Sequence, residues 1–117
     1  MREDVLRTKG AEADLLSSVF RGFAEPTRLA IMLELARGER RVTDLVDKID
    51  MSQANISGHL ACLRDCGLVE GEPRGRQVFY RIGSAEVVGV IRAAEKVLRR
   101  HGHDIDSCPT YGRRKTG

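Results

Sequence analysis

The sequence has few aromatic residues, few cysteines and no long apolar segment. It contains no tryptophan, and aromatic residues make up only 4% of its 117 residues. A chain of this size forms one small, shallow core that a partner subunit could complete. Three cysteines are too few for a disulfide scaffold, and an odd number cannot pair off within one chain. Because there is also no membrane-spanning run or apolar signal segment, we expect a cytoplasmic protein with free thiols and no membrane partner.

Charged residues, by contrast, are abundant. They make up 32% of the chain, and the net charge is +3. This composition is typical of a helix-rich soluble protein, and its mild basic excess permits a polyanion as partner. No nucleophile–base constellation, phosphate-cradling glycine loop or catalytic carboxylate pair stands out. We therefore expect neither an enzyme nor a protein that binds a small organic ligand.

Hydrophobic spacing predicts five helices and one hairpin in a single domain covering residues 1–117, with a frayed N-terminus (1–10) and a flexible tail (103–117). Pro26 fits the first turn of the second helix, Thr43 and Ser52 fit helix N-caps, and Gly67 fits a left-handed C-cap. The predicted helices cover 11–24, from 26 to before 38, 44–49, 52–66 and 85 to about 101, and the predicted strands cover 68–72 and 77–82. Two helices joined by about four residues, followed by a basic hairpin, indicate a mainly α, winged helix-turn-helix fold.

The segment SQANISGHLACLRDCGLV, residues 52–69, predicts a helix with three distinct sides. Ile56, Leu60 and Leu63 define the buried side. A second side is small and polar, which suits close approach to a DNA major groove and hydrogen bonds to base edges. The alternative is an ordinary solvated surface, but the basic hairpin that follows favours DNA. The predicted DNA-contacting residues are Ser52, Gln53, Ala54, Ser57, Gly58 and Arg64 on the helix and Arg74, Arg76 and Gln77 on the wing.

The third side of this helix carries two cysteines, Cys62 and Cys66. Residues four apart are neighbours on a helix surface, so two thiolates there can share one soft metal ion such as cadmium, lead or zinc. Cys108 is the one remaining cysteine and could supply a third sulfur from its own chain or from a second subunit. The alternatives are a pair of small buried hydrophobic residues or a redox-sensitive thiol pair. Additional candidate donors are Asn55, His59, His101, His103 and Asp104, although His59 also fits a purely structural role.

Two segments together resemble the ArsR/SmtB family of bacterial metal-responsive repressors. They are FAEPTRLAIMLEL and VTDLVDKIDMSQANISGHLACLRDCGLVEGEPRGRQVFYRI, and the resemblance covers about residues 20–82. It implies a winged-helix homodimer whose first and last helices form the interface. It further implies that the dimer binds a palindromic operator and releases it when a metal binds.

The resemblance also implies where a metal would bind, because sensor sites differ within the family. One type has a cysteine pair near the motif RVTDLVD, where this chain has none, and another has histidines along the last helix, which residues 85–100 lack. A third type, which senses cadmium and lead, has L-x-C-L-R-x-C-G-L and a cysteine in the tail. Here LACLRDCGL matches that pattern, so the implied ligands are Cys62, Cys66 and Cys108. The other hypotheses are a redox-sensing repressor of the same fold and a winged helix that binds another protein.

Overall fold

The computed structural model describes residues 10–113. These residues form two compact units, one up to Ser84 and one from Ala85 onward. The first unit contains α1 (Ala11–Ala24), α2 (Pro26–Leu35), α3 (Val42–Lys48), α4 (Gln53–Asp65), β1 (Val69–Arg74) and β2 (Gln77–Ile82), and the second contains α5 (Ala85–Ser107). This order confirms the predicted mainly α fold with one hairpin. Of the predicted frayed N-terminus, residues 1–9 lie outside the described residues.

The joint between α1 and α2 is held by hydrogen bonds at both helix ends. Pro26 occupies the first turn of α2, and the Glu25 carboxylate accepts a hydrogen bond from the backbone N–H of Arg28 at 2.8 Å. The Arg28 guanidinium in turn donates to the carbonyls of Gly22, at 3.1 Å, and Arg21, at 3.0 Å, in the last turn of α1. The motif EPTR therefore caps one helix at its start and the preceding helix at its end.

The helix-turn-helix consists of α3 and α4, which are joined by residues 49–52. Leu45 on α3 is fully buried, and the Ser52 hydroxyl caps α4 by accepting the N–H of Asn55 at 3.2 Å. Gly67 follows α4 with φ +79°, as the predicted left-handed C-cap requires. The buried apolar residues of this unit come from every helix and from β1: Phe23, Ile31, Met32, Leu35, Leu45, Ile56, Leu60, Leu63 and Val69.

The wing is the antiparallel hairpin of β1 and β2, paired from Val69↔Ile82 to Arg74↔Gln77. Its two-residue loop begins with Gly75 at φ +65°, a conformation that favours glycine. A short segment before α3 joins the outer edge of the hairpin, because Arg40 and Tyr80 exchange backbone hydrogen bonds of 3.0 and 2.8 Å. This pairing fixes the wing against the chain that leads into the helix-turn-helix.

Two predicted boundaries in this unit were wrong. The N-cap of α3 is Arg41, not Thr43, because the Asp44 carboxylate reaches back to the backbone N–H of Arg41 at 2.8 Å and also binds its guanidinium. The first strand continues to Arg74 instead of ending at residue 72. Pro73 is compatible with that strand because β1 is an edge strand, where a missing N–H need not break the ladder.

The last helix is also longer than predicted. It extends through Ser107 instead of ending near His101, so His101, His103 and Asp104 are helical. Leu98, Gly102 and Ile105 are four and three residues apart and therefore lie on one face of the helix. The helix continues through Gly102. Among the described residues, no helix has the length and apolar character needed to cross a membrane.

Candidate nucleic-acid interface and thiol pair

The buried and exposed residues of α4 lie on the sides that the sequence predicts. Ile56, Leu60 and Leu63 are at most 1% exposed and hold the helix in the core of its unit. The small and polar residues lie outside that core: Gln53, Ala54, Ser57, Gly58 and Arg64 are all exposed. The N-terminal half of α4 therefore presents short side chains and hydrogen-bonding groups to solvent, as a helix that enters a major groove requires.

Gly58 has no packing role in this unit. A Cβ added at Gly58 would meet no described atom within 4 Å apart from its chain neighbours and the backbone of its own helix. Glycine inside a helix costs roughly 0.5–1 kcal/mol relative to alanine, so this residue weakens α4 without any packing benefit. A position without a side chain on an exposed helix lets a second molecule approach the backbone closely, which is consistent with the predicted DNA contact.

The two arginines predicted to form a basic wing tip are in different environments. Arg74 is paired with Glu39 at 2.9 Å and also with Glu72, and its guanidinium lies 4.7 Å from the centre of the Phe79 ring. Arg76, in the loop, is exposed and has no ion pair or hydrogen bond with any residue in the described part of the chain. The charge that the wing tip offers to a polyanion is therefore mainly that of Arg76.

Sequence reasoning missed the acidic partners of the wing. Arg81 contacts Glu70 at 3.0 Å and Glu72 at 3.2 Å, and the guanidiniums of Arg74 and Arg81 hold the pKa of Glu72 below its ordinary value. Opposite charges facing one another across two strands could have indicated the Glu70–Arg81 pair. No local pattern indicates Glu39, which is 35 residues from Arg74 in the chain.

The thiol pair lies at the C-terminal end of α4. Cys62 is in its last turn, Cys66 is its C-cap, and both are free and exposed. The alternative of two buried hydrophobic residues is therefore wrong for this unit. Both cysteines open onto a cavity of about 220 Å³ between α1 and α4, whose lining consists of Ser18, Arg21, Gly22, Arg28, Cys62, Leu63, Cys66 and Leu68.

Within residues 10–84, no third metal donor is assembled around this pair. Within residues 10–113, no group of three or more His, Cys, Asp or Glu side chains is arranged to hold a metal ion. His59, the nearest predicted extra donor along the helix, instead has its Nε2 atom 3.9 Å from a carboxylate oxygen of Glu25. That contact supports the structural role of His59, since Glu25 is the N-cap of α2.

Cys108 belongs to the second unit, directly after α5. Its Sγ atom accepts a hydrogen bond from the backbone N–H of Tyr111 at 3.4 Å. This bond, followed by those from Thr110 and Gly112, lowers the pKa of the Cys108 thiol, because backbone N–H groups favour the thiolate. The chain after α5 thus turns back around the sulfur and stabilises the form that binds metals.

Two helices carry large apolar side chains that their own units leave exposed. On α1, Leu16, Val19 and Phe20 are 49%, 39% and 61% exposed. On α5, the exposed side chains are Val97, Leu98 and Ile105. Apolar faces of this size on one small chain are typical of protein–protein contact.

An exposed recognition helix followed by a hairpin wing defines a winged helix-turn-helix DNA-binding protein. The family profile described as "Bacterial regulatory protein, arsR family" matches residues 25–71. The "Probable mercury resistance operon repressor" of Streptomyces lividans is 33% identical over 95 residues, which cover 81% of this chain and 76% of that protein. The HTH-type transcriptional regulator CmtR of Mycobacterium bovis is 36% identical over 83 residues, covering 71% of this chain and 70% of that protein.

A solved structure agrees with these relatives. A homodimeric winged helix-turn-helix DNA-binding domain from Mycobacterium bovis has 30% identity and a TM-score of 0.74, covering 84% of this chain and 91% of that one. The chain belongs to the ArsR/SmtB family of bacterial transcriptional repressors. Its members are DNA-binding regulators, which confirms the expectation that this chain is not an enzyme.

Proposed function

We propose that this chain is a metal-responsive repressor. It acts in the cytoplasm as a homodimer, binds a palindromic operator, and leaves it when a soft divalent ion binds cysteine thiolates. Cadmium and lead are the favoured ions, with zinc as a further candidate. The observation that carries this proposal is the exposed thiol pair Cys62 and Cys66, which lies on α4, the helix predicted to enter the DNA groove.

Three cysteine thiolates are a donor set that suits a soft metal ion. Cys62 and Cys66 are neighbours on the helix surface, and neither Sγ atom has a hydrogen-bond partner among the described residues. Cys108 is the proposed third ligand, and the N–H groups around it favour its thiolate. A bound ion would supply a cross-link between these sulfurs. The pair alone offers too few donors for a tight site, so Cys108 or a second subunit must complete it.

The DNA-binding part of the proposal rests on the exposed N-terminal half of α4. Gln53 and Ser57 supply groups that hydrogen-bond base edges or phosphates, and Ala54 and Gly58 allow close approach. Arg64 on α4 and Arg76 in the wing loop are exposed and have no ion-pair partner among residues 10–113. Both are therefore available for phosphate contact.

Dimerisation in this proposal uses the exposed apolar faces of α1 and α5. Phe20 is 61% exposed and Leu98 is 58% exposed in the single chain. Burying such side chains is favourable by about 25 cal/mol per Å² of apolar surface. A dimer also places two recognition helices in register with the two halves of a palindrome.

The test is a titration of the reduced, metal-free protein with Cd(II). Binding is followed by ultraviolet sulfur-to-metal charge-transfer absorption, and DNA release by the anisotropy of a labelled duplex enriched from a random library by the wild-type protein. The variants are Cys62→Ser, Cys66→Ser and Cys108→Ser. Asp65→Asn is the matched control, because this exposed carboxylate lies in the same turn but has no part in the proposed site.

We expect a saturable thiolate band and loss of DNA affinity in the wild type and in Asp65→Asn. Cys62→Ser and Cys66→Ser should bind DNA normally but not release it with Cd(II), and Cys108→Ser should show a weaker band. Because thiolate ligands displace protons, metal affinity should fall at low pH. Cd(II)-dependent release that persists in Cys62→Ser would show that the pair is not the sensor.

A second candidate keeps the DNA-binding fold and makes the thiols a redox sensor. The observation that favours it is the cavity, because Arg21 and Arg28 line it together with Cys62 and Cys66. Exposed cysteines in a positively charged environment are the ones that oxidants most readily reach. Peroxide would then release DNA without metal and reduce the protein mass by two hydrogens through a Cys62–Cys66 disulfide. Mass spectrometry of peroxide-treated protein distinguishes this candidate from the metal sensor.

A further inference from the structure

The outer face of the wing carries a network of charges. Alternation along β1 places Glu70, Glu72 and Arg74 on one face of the hairpin. On β2, Arg81 lies directly opposite Glu70, and Phe79 lies opposite Glu72. This face is therefore defined by carboxylates and guanidiniums packed around one aromatic ring, and not by unpaired basic residues.

Glu39 joins this face from outside the hairpin. The backbone pairing of Arg40 with Tyr80 holds the preceding residue beside the wing. The Glu39 carboxylate receives two hydrogen bonds from Arg74, at 3.1 and 2.9 Å, and lies 3.5 Å from the nearest guanidinium nitrogen of Arg81.

Arg74 is more constrained than a cation at the tip of a free hairpin. Its Nε–H donates to Glu72, both of its terminal nitrogens donate to Glu39, and its charged group stacks on Phe79. A bidentate arginine–carboxylate pair fixes the guanidinium in both position and orientation. Three carboxylates surround the two guanidiniums of Arg74 and Arg81, so the network as a whole carries negative charge.

We propose that Arg74 is a positioning residue of the wing, that Arg76 is the wing cation that contacts DNA phosphate, and that Glu39 attenuates DNA binding. Glu39 does this in two ways: it holds Arg74 away from the phosphates, and it adds a negative charge close to the DNA-binding surface. This inference rests on the proposed DNA-binding role of the wing. It assigns different roles to Arg74 and Arg76, both of which the sequence predicts as DNA-contacting residues.

The first test is the salt dependence of DNA affinity for single variants, with the library-enriched duplex as probe. Each phosphate contact contributes about 0.9 to the slope of log affinity against log salt. Arg76→Ala removes one contact per wing, so the slope of the dimer should fall by about 2. Arg74→Ala should leave the slope nearly unchanged. Lys96→Ala, which removes an exposed cation on α5, is the matched control and should also leave the slope unchanged.

A double-mutant cycle tests the role of Glu39. Glu39→Gln should raise DNA affinity about 3- to 10-fold at low salt, because Arg74 is released and a carboxylate is removed. In an Arg74→Ala background the same change should raise the affinity less, since only the charge effect remains. Equal gains in both backgrounds, or an Arg74→Ala slope reduced as much as that of Arg76→Ala, would overturn the inference.

A measurement without DNA separates this inference from the proposed function. In the NMR spectrum of the free protein, the Nη–H groups of Arg74, which donate to Glu39, should exchange slowly with water, and those of Arg76 should exchange rapidly. Glu39→Gln should accelerate exchange at Arg74. If these results hold but the wild type binds no duplex, the DNA-binding proposal fails and the wing network stands. If Arg74 exchanges as fast as Arg76, the network is overturned whatever the DNA result.

Discussion

Replacing Gly58 with alanine is expected to stabilise the protein. Beyond its chain neighbours and its own helix backbone, the added Cβ meets no described atom within 4 Å, so it creates no clash inside the unit. The position is in the middle of α4, where alanine is favoured over glycine by roughly 0.5–1 kcal/mol. The free energy of unfolding should rise by that amount, measured by urea denaturation followed by circular dichroism.

The same substitution is expected to weaken DNA binding. Ala54 and Ser57 lie beside Gly58 on the exposed side of α4, and the proposed groove contact is closest where the side chains are smallest. An extra methyl group in a tightly packed contact typically costs 1–3 kcal/mol. At the lower end of that range, the two recognition helices of the proposed dimer together lose about 2 kcal/mol, so the affinity for the library-enriched duplex falls about 30-fold, measured by fluorescence anisotropy.

A gain in the free energy of unfolding together with a loss of DNA affinity would show that Gly58→Ala does not act by damaging the fold. Gly89→Ala is the matched control, because Gly89 is also a helical glycine with open space around it but lies on α5. It should gain similar stability and bind DNA unchanged, with the oligomeric state checked by sedimentation. If Gly58→Ala bound DNA as tightly as the wild type, the small side of α4 would not be the surface that meets the groove. If it lowered stability, the space around Gly58 would not be open.

Three further predictions concern the framework that supports this surface. Arg28→Ala should lower the free energy of unfolding by about 1–3 kcal/mol, because two carbonyls at the end of α1 lose their donor; urea denaturation measures the loss. The N–H of Arg28 holds the pKa of Glu25 below its usual 4.5, so the stability from this cap is complete above that pH and is lost as the pH falls through the lowered value. Between about pH 5 and pH 3, Glu25→Gln should therefore lose less stability than the wild type in acid denaturation curves, and equal losses would contradict the assignment. Leu60→Ala should cost about 2–5 kcal/mol because Leu60 is 1% exposed, whereas Leu33→Ala, at a side chain that is 37% exposed, should cost clearly less in the same assay.

Local patterns predicted the helical framework well because each helix end carries its own signal. α1 covers the predicted residues, and Ser52 and Gly67 end α4 as their chemistry requires. The prediction of Thr43 as an N-cap was wrong for a local reason as well. Threonine is the commoner N-cap, but Asp44 lies three residues after Arg41 and satisfies its backbone N–H, so the helix begins two residues earlier than predicted.

The site was less predictable because its properties depend on residues far apart in the chain. Cys62 and Cys66 are exposed beside a cavity that is also lined by residues of α1 and α2, and hydrophobic spacing does not determine this arrangement. Likewise, the sequence PRGR suggests two equivalent basic residues. Only the fold brings Glu39 to Arg74 and leaves Arg76 without a partner in the described part of the chain. Long-range ion pairs leave no periodic signal in a sequence, so the charge of a surface patch is harder to predict than its secondary structure.

The burial of α4 limits how a metal at the proposed thiol site could release DNA. Turning α4 about its axis would expose Ile56, Leu60 or Leu63, which are at most 1% exposed. Losing the packing of one such side chain costs about 2–5 kcal/mol, more than the roughly 1–3 kcal/mol of a typical allosteric coupling.

A metal-responsive α4 should therefore move together with its core, changing the spacing of the two recognition helices in the proposed dimer. Cd(II) should then abolish DNA binding while the backbone amides of α4 keep their protection against hydrogen exchange. Loss of protection across residues 56–63 on adding Cd(II), in wild type but not in Cys62→Ser, would instead show that the metal acts by local unfolding of the helix.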